Sequence, residues 1–527
     1  MGLSIPKSGF DSRWRRIFPM QDYLEIGRAS DLKNPGERRL YRFFEILPGA
    51  ISLATLSFAL IFSWLKPVWV AFFIILFCLY WTLKVIYLSL HQIISFKKMK
   101  RSLEIDWQEK LKPFSWQKIY HLIILPQAKE GWEVLRETLN SLKEAIYPKE
   151  NLIIILAQEE RMQGDIKEIG ERAKKEYGKY FHRFEITIHP RDLPGEVRGK
   201  GSNIAFATKL AKKIIDEEKI PYQNVIVSIF DIDTKVFPQY FLCLTYHYLT
   251  SKKPLKSSFQ PIPVYHNNLW EAPAFSRVVA TSSTFWQMMQ QERPEQLVTY
   301  SSHSMAGEAF FKVGYPKNVV ADDSRIFWKA FFKFDGDYRV HPLYYPVSMD
   351  VVTGENLMKT FLNQYKQQRR WAWGCIEIPY IFYNFLKNKK ISLKKKIFYS
   401  VITFEGFWSW ACASLLILFL GWLPLVLGKG EFNLTLFSYN LPRVTASILL
   451  FANIGMIVGV ATNILFLPPP PKKVSYLKKI SMIFQWLLLP LTLIVFGAFP
   501  ALDAQIRLML GKYLEFWNTP KIRHNPA

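Results

Sequence analysis

The chain reads as an α/β domain inserted between membrane-spanning α-helices, and three features of its 527 residues predict this. Apolar blocks long enough to cross a bilayer stand on both sides of a long polar stretch. Within that stretch short apolar, strand-like runs alternate with helix-like ones, the pattern of parallel βαβ units. One apolar run leads straight into a pair of carboxylates, Asp231-Ile232-Asp233, and such sheets bind their ligands at the carboxyl ends of the strands.

Taken in order, residues 1–42 form a polar, basic tail. It is unlike a cleaved signal peptide, so the first apolar block is expected to stay as an anchor. Residues 43–65 and 68–96 are two apolar blocks joined by Lys66-Pro67. At about 1.5 Å per helical residue each can cross a hydrocarbon core of about 30 Å, which predicts a helical hairpin over 43–96. The α/β domain follows over 97–386. Its first run, His121-Leu122-Ile123-Ile124-Leu125, ends at Pro126. Residues 130–146 have helical spacing, with Trp132, Leu135, Leu139 and Leu142 on one face. Asn151-Leu152-Ile153-Ile154-Ile155-Leu156 is a second strand-like run, and Asn224-Val225-Ile226-Val227-Ser228-Ile229-Phe230 is the one that meets Asp231.

The remaining 387–527 carry apolar blocks at 397–428, 446–467 and 480–498. Basic flanks on 1–42, 97–118, 387–396 and 468–479 place those parts on the cytoplasmic side, and 429–443 outside. Five crossings would leave a basic tail, with Lys512, Lys521 and Arg523, on the wrong side. The block at 397–428 is over-long and carries Glu405, costly deep in lipid, so it is expected to lie at the interface instead. The proline run 468–471 reads as a stiff turn, and Gly455 with Gly459 as a helix-packing face. The expected setting is a multi-pass protein of the plasma membrane, with the 97–386 domain in the cytoplasm.

A net charge of +25 invites a nucleic-acid reading. The excess sits in clusters beside apolar blocks, such as Lys97-Lys98-Met99-Lys100-Arg101, which suits anionic lipid headgroups, and no nucleic-acid recognition motif accompanies it. Cys78, Cys243, Cys375 and Cys412 are scattered, with no Cys-x-x-Cys pair, so neither a disulfide framework nor a zinc site is implied.

Two carboxylates one residue apart suit Mg²⁺ or Mn²⁺ holding a diphosphate, because these ions prefer hard oxygen ligands and substrate phosphates complete the shell. Alone the pair is equally a turn or a cap. Three further elements accompany it: Arg198-Gly199-Lys200-Gly201-Ser202-Asn203, Ala321-Asp322-Asp323 and Gln367-Gln368-Arg369-Arg370-Trp371. Each has a plain structural reading. Asp323 would cap a helix starting at Ser324, and 367–371 would be an interfacial amphipathic helix with Arg369 toward solvent or headgroups. His303 and His341 read as structural rather than as metal ligands.

This order resembles the family 2 glycosyltransferases, especially the membrane-embedded branch with the cellulose, mannan and hyaluronan synthases. The resemblance covers about residues 121–373 and extends to the flanking helices. It implies a GT-A-like, Rossmann-type domain and inverting transfer from a UDP- or GDP-sugar to a growing polysaccharide at the membrane. Leu125-Pro126-Gln127-Ala128-Lys129-Glu130 looks like the family's first-strand ending, where Pro126 and Glu130 flank the nucleotide pocket. Lys200 to Asn203 looks like the element leading into the metal motif, which Asp231 and Asp233 match. Asp323 falls on the general base of the Thr-Glu-Asp motif, and Gln367, Arg370 and Trp371 match Gln-x-x-Arg-Trp. Phe516-Trp517-Asn518-Thr519-Pro520-Lys521 is similar to a Thr-Pro-Lys tail of this branch.

The chain also departs from the family. Ala157-Gln158-Glu159-Glu160 stands where an Asp-rich turn contacts the nucleobase, leaving Glu159 as the substitute. Ala-Asp-Asp replaces Thr-Glu-Asp, so either Asp322 or Asp323 is available as base. Residues 301–307 do not match the Phe-Cys-Gly acceptor motif of the cellulose synthases. In these roles Asp233 holds the metal with Asp231 toward the nucleotide sugar, and Arg370 clamps the diphosphate in bidentate fashion. Asp323 takes the proton of an acceptor hydroxyl, Trp371 offers a face to a sugar ring, and Lys200 is a second cation. Gln367 belongs to the donor side.

Three rivals remain: transfer of one sugar to a lipid-linked acceptor, a transporter subunit, and a non-catalytic nucleotide-sugar sensor. A transporter predicts polar residues inside the spans, whereas these blocks are mostly Leu, Ile, Phe and Trp. A sensor would be expected to lose its carboxylates, and Asp231, Asp233 and Asp323 are present. The sequence identifies no partner subunit.

Overall fold

The long apolar blocks form helices that start before the expected bounds, and the one expected over 397–428 ends at Leu418. The computed structural model describes residues 22–160, 166–428, 430–470 and 474–520. Residues 1–21 and Lys429, Pro471, Lys472, Lys473, Lys521 and Arg523, which figure in the expectations above, lie outside the described residues. Helix α1 (Pro35–Leu65) starts where the Asn34 side chain accepts the Gly36 and Glu37 amides, with Pro35 as the first residue. It stops at Lys66-Pro67, since Pro67 has no N–H to offer the preceding turn. Helix α2 (Pro67–Glu104) runs on through the basic cluster into the domain.

Among the described residues the domain is built on one sheet of eight strands. β1 (Tyr120–Pro126), β2 (Leu152–Glu159), β3 (Arg183–His189) and β4 (Val225–Ile229) are mutually parallel in the order β3-β2-β1-β4, and the sheet continues through later strands. Every residue of β2 and β4 is buried, as expected where helices cover both faces and the run is Ile/Val/Leu-rich. α3 (Trp132–Glu144) buries Leu135, Leu139 and Leu142 of the predicted face, with Trp132 half-buried, and Val134 beside them. α4 (Ile166–Tyr177) and α5 (Lys200–Glu217) complete the crossovers.

Beyond β4 the parallel βαβ pattern gives way to a mixed one. After β5 (Lys235–Val236) and α6 (Tyr240–Thr250) come β6 (Ser257–Val264), α7 (Ala274–Gln291), β7 (Ser304–Ala306), α8 (Asp322–Lys333) and β8 (Arg339–Ser348). β7 is antiparallel to both β4 and β6, and β5 is antiparallel to β8. Reversing β7 brings its amino end, rather than its carboxyl end, to the edge where β1–β4 finish. Residues 301–303 therefore reach the same edge as Asp231.

After the domain, α9 (Leu357–Ala372) and α10 (Glu377–Lys387) lead to α11 (Leu393–Leu418), α12 (Leu436–Phe466) and the segment α13 (Tyr476–Met509). Among the described residues five helices, α1, α2, α11, α12 and α13, are long and apolar enough to cross a membrane. α11 leaves the domain, where Lys395 Nζ donates to Gly336 O (2.9 Å) and Tyr399 OH to Glu295 O (2.9 Å). It ends near the tip of the α1–α2 hairpin, where Gly428 approaches Pro67. α12 returns. Phe437 stacks on Phe72 beside the tip (4.7 Å between ring centroids), and Phe466 meets Phe96 (6.0 Å) and the domain's His266 (4.9 Å). Gly455 lets α12 press against Val85 of α2, which is the packing role expected of it.

Glu405, the carboxylate that suggested an interfacial block, is paired with residues of α2. Tyr80 OH (2.7 Å) and Lys84 Nζ of α2 both donate to the Glu405 carboxylate, so its burial cost is offset and α11 can cross. α13, broken by Pro490 and Pro500, touches the domain at several points and α1 at its end. Gln485 Oε1 accepts from Arg277 Nε (2.6 Å). Phe496 lies 5.4 Å from Phe275 and 4.9 Å from Phe361 between ring centroids. At its end, Arg42 NH1 donates to Leu508 O (2.8 Å) and Tyr513 OH to Glu45 (2.8 Å). Beyond it the chain reaches the domain, where Phe516 packs on Gly199 and lies beside Arg370.

Candidate active site

Four chain segments converge where β1–β4 end. At the end of β4, Phe230 N still donates to Ile124 O (3.2 Å), after which the chain turns, Thr234 N donating to Asp231 O (2.9 Å). Thr138 Oγ1 of α3 pins Ile232 O (2.7 Å), so the two carboxylates are held on a fixed turn. The entry to β7 runs alongside: Ile229 N donates to His303 O (2.9 Å), and Ser301 Oγ donates to Asp231 Oδ2 (2.6 Å).

Lys200, the first residue of α5, lies between the carboxylates. Its Nζ is 2.8 Å from Asp231 Oδ1 and 2.8 Å and 3.0 Å from the two oxygens of Asp323. Burial by itself would lower its pKa, but the carboxylates of Asp231, Asp323 and Asp322 outweigh it and hold the ammonium charged well above the ordinary lysine range. Gly199 before it has φ +148°, and a Cβ there would collide with the ring of Phe516. The glycine is thus required both by its backbone and by the tail packed on it.

Asp323 is not the cap of its helix. α8 begins two residues earlier than expected, at Asp322 with Ala321 as N-cap, and the Asp323 carboxylate turns to Lys200. Thr299 Oγ1 holds the Asp323 carbonyl (2.6 Å), and Tyr315 OH lies 3.3 Å from Asp322 Oδ2 and 3.4 Å from Asp323 Oδ1. Burial, then the adjacent Asp323 charge, push the Asp322 carboxyl up to about 7 against the pull of Lys200 and Arg370. Of the two candidate bases Asp323 is the more open, with 22 % of its side chain exposed, while Asp322 is only 2 % exposed.

Asp233 is fully enclosed and Asp231 opens toward the cleft. Asp233 Oδ2 accepts the amide of Asp350 (2.9 Å), and the Asn267 side chain donates both to Asp233 O (2.9 Å) and to Asp350 Oδ1 (2.9 Å). Asp350, two residues past β8, was missed in the sequence reading. Its signal was the one that marked Asp231, a carboxylate closing an apolar strand run, here Tyr345-Pro346-Val347-Ser348-Met349. Asn267 and Ser301 carried no comparable signal.

α9 brings in the last motif. Gln367 is buried and accepts from Gln364 Nε2 (3.3 Å). The Arg370 guanidinium stands 5.4 Å from the centre of the Phe516 ring, near enough to Asp322 to oppose its rise in pKa. Its Nε is buried with no hydrogen-bond partner among the described residues. Arg369 does not face solvent or headgroups as expected; its NH1 pairs with Asp503 of α13 at 2.8 Å, because α13 covers that side of α9. Trp371 is half-buried, and the fully buried tryptophan is Trp373, against Tyr513.

His303 sits at the site, its Nδ1 bonded to Tyr300 O (2.8 Å) and 3.9 Å from Asp323 Oδ1, with its pKa lowered first by burial. His341 lies at the opposite end of the sheet, where β8 starts, and is engaged with Ser257 Oγ at 3.2 Å. Pro126 and Glu130 border the end of β1, where Glu130 Oε2 accepts the Ala128 amide (2.8 Å) and shapes the turn. Glu159, the last residue of β2, lines a cavity of about 210 Å³ together with His189, Arg191, Arg198 and Ser202.

The donor set fits a hard divalent cation. Asp231 and Asp233 offer only oxygen, and a carboxylate's several lone-pair sites let a cation share them with the hydrogen bonds above. Among the described residues no three His, Cys, Asp or Glu side chains are grouped to cage a metal by themselves. An ion held here would need substrate oxygens to complete its shell.

No protein-family profile matches the chain, and no curated protein matches it. Similar solved structures include a mannosyltransferase, PcManGT from Pyrobaculum calidifontis, in complex with GDP-Man and Mn²⁺. It shows 14 % identity and a TM-score of 0.37, covering 82 % of this chain and 99 % of that one. S. aureus TarS 1-349 in complex with UDP-GlcNAc is similar at 12 % identity and a TM-score of 0.35, covering 75 % of this chain and 93 % of that one.

Proposed function

We propose that this chain is a membrane-integrated inverting glycosyltransferase that moves a sugar from a nucleotide-diphosphate donor to a growing polysaccharide. The observation that carries the reading is the Lys200 ammonium, within 2.8 Å of both Asp231 and Asp323. It joins the candidate diphosphate-binding carboxylate and the candidate base across one cleft. A diphosphate arriving beside Lys200 competes with Asp323 for the ammonium. Asp323 is then left to take the proton of the acceptor hydroxyl, worth about 10² to 10⁴ in rate. That oxygen attacks the anomeric carbon, the bond to the diphosphate breaks, and the configuration inverts. Lys200 and Arg370 meet the charge on the departing diphosphate. Asp233 and Asp231 would hold Mg²⁺ or Mn²⁺, which supplies further charge stabilisation there. Gln367 supports the donor side, and Trp371 the acceptor.

The reading is tested by a donor screen on protein in nanodiscs, with UDP- and GDP-sugars and Mg²⁺ or Mn²⁺, following nucleoside diphosphate release and product size. Release with a long polymer is the expected result. Release with a single-sugar lipid product would replace the polysaccharide acceptor by a lipid-linked one. No release with any donor would count against the enzyme and favour a sensor or transporter subunit.

A further inference from the structure

An ion held by Asp231 and Asp233 has few protein ligands to lose, so the groups that orient those carboxylates weigh heavily on its affinity. We propose that Asn267 is a positioning residue for the metal ion, its side-chain amide fixing Asp233 in the orientation that receives the cation; this rests on the glycosyltransferase reading above.

Asp233 lies on the turn between β4 and β5 and is fully enclosed, and a buried carbonyl without a donor is costly. Asn267 Nδ2 donates to that carbonyl and to Asp350 Oδ1, each at 2.9 Å, while Ser348 Oγ donates to Asn267 Oδ1 at 2.7 Å. A flipped amide would set its oxygen against two oxygen acceptors, so this pattern defines its orientation. Asp350 N in turn donates to Asp233 Oδ2 at 2.9 Å. The bonds close a ring in which Asn267 holds the backbone of Asp233 directly and its carboxylate through Asp350.

Asn267 is itself held on both sides. It lies on the loop from β6 to α7, where its own amide donates to Met349 O (3.3 Å). Its neighbour Asn268 exchanges two bonds with Val351, Val351 N donating to Oδ1 (2.7 Å) and Nδ2 to Val351 O (3.0 Å). Away from the site the same loop bears on the end of α12, where His266 meets Phe466 and Trp270 Nε1 donates to Pro468 O (3.3 Å). The loop cannot drift without parting the exits of β6 and β8.

An amide suits the task. Lys200 holds Asp231 and Asp323 through an ammonium, which offsets their charge. A neutral donor orients carboxylates and leaves their charge to attract a divalent ion. Mg²⁺ demands near-octahedral geometry at about 2.0–2.1 Å, so a carboxylate turned out of place ligates it poorly. Groups that orient a metal's ligands are typically worth about 10- to 100-fold in metal affinity.

The test is Mn²⁺ binding to the full-length protein in nanodiscs with UDP or GDP, free Mn²⁺ being read from its electron paramagnetic resonance signal, beside nucleotide binding in EDTA and thermal unfolding. Asn267→Ala is expected to weaken Mn²⁺ binding about 10- to 100-fold and to leave metal-free nucleotide binding as in wild type. Asn268→Ala strips two bonds from the same strand exits without touching Asp233. It is expected to lower the unfolding temperature and to keep Mn²⁺ affinity close to wild type. Equal loss of Mn²⁺ affinity in the two variants would reduce Asn267 to a strand fastener and overturn the proposal, as would wild-type Mn²⁺ affinity in Asn267→Ala. Ser348→Ala removes only the hydroxyl that anchors the amide and is expected to shift Mn²⁺ affinity the same way by less. It decides the matter if Asn267→Ala does not fold, and wild-type Mn²⁺ affinity there would overturn the proposal. A wild-type protein that binds UDP or GDP in EDTA and never takes up Mn²⁺ would overturn the proposal alone, leaving a metal-independent glycosyltransferase. No binding of either nucleotide would sink the glycosyltransferase reading with it.

Discussion

Replacing Lys200 by Met would leave Asp231, Asp322 and Asp323 around a buried site with no ammonium between them. Removing one partner of a buried ion pair costs about 3–5 kcal/mol, so Lys200→Met should show a large drop in thermal unfolding temperature as well as loss of donor binding. The carboxylates should separate by function. Asp233→Asn is expected to abolish metal-dependent donor binding, while Asp323→Asn leaves donor affinity largely intact and lowers turnover by about 10²-fold or more. Normal turnover in Asp323→Asn would move the base to Asp322. That neighbour has its own signature: its folded-state carboxyl is raised to about 7 from an ordinary value near 4, so the folded protein holds a proton that the unfolded chain releases. The sign follows from linkage: ionising Asp322 costs the folded state stability increasingly as pH rises from about 4 to about 7, with the full cost above that. Asp322→Asn should therefore be more heat-stable than wild type at pH 8, with the difference shrinking toward pH 4. A difference that is independent of pH would remove Asp322 as its source.

At the scale of elements, the proposed base and the proposed diphosphate clamp ride on different helices, α8 and α9, and a buried ion pair links α8 to the helix that follows α9. Arg325 Nε of α8 meets Glu377 Oε2 of α10 at 2.8 Å, with side chains 1 % and 3 % exposed, and Arg325 NH1 also holds Ile26 O at 2.8 Å. Such pairs fix geometry more than they add stability, because desolvation cancels much of the attraction. Glu377→Gln alone should destabilise strongly by stranding Arg325. Pairing Arg325→Met with Glu377→Met should recover part of that loss without restoring turnover, read as unfolding free energy and kcat across a double-mutant cycle. Full recovery of kcat in the double variant would mean that the pair does not position Asp323.

At the scale of the molecule, the course of α13 bears on the topology. It meets the domain at Arg277, Phe275, Phe361 and Arg369, which leads to the prediction that it does not cross and that the tail lies on the domain side. Lys512 is exposed there, and Cys78, Cys243, Cys375 and Cys412 are buried. A Lys512→Cys variant should be labelled by a membrane-impermeant thiol reagent from the same side of sealed vesicles as Lys389→Cys on the domain side. Labelling from opposite sides would mean that α13 crosses after all.

The sequence by itself determined the insertion of an α/β domain between apolar helices, strands β1, β2 and β4, the amphipathic face of α3, and the carboxylate pair at a strand end. All of these are legible because periodicity, helix length and side-chain chemistry are local properties. It did not disclose the reversal of β7, whose Ser304-Met305-Ala306 is too short to carry a strand pattern. Nor did it disclose that the segment returning to the domain is α13, since hydropathy counts apolar residues and not what they pack against. The placement of Lys200 between Asp231 and Asp323, the bridge from Asn267 to Asp233 and Asp350, and the pairing of Arg369 with Asp503 were decided only by tertiary structure. Each joins residues far apart in the chain, and a buried charge finds its partner in space, where desolvation compels it, rather than along the sequence.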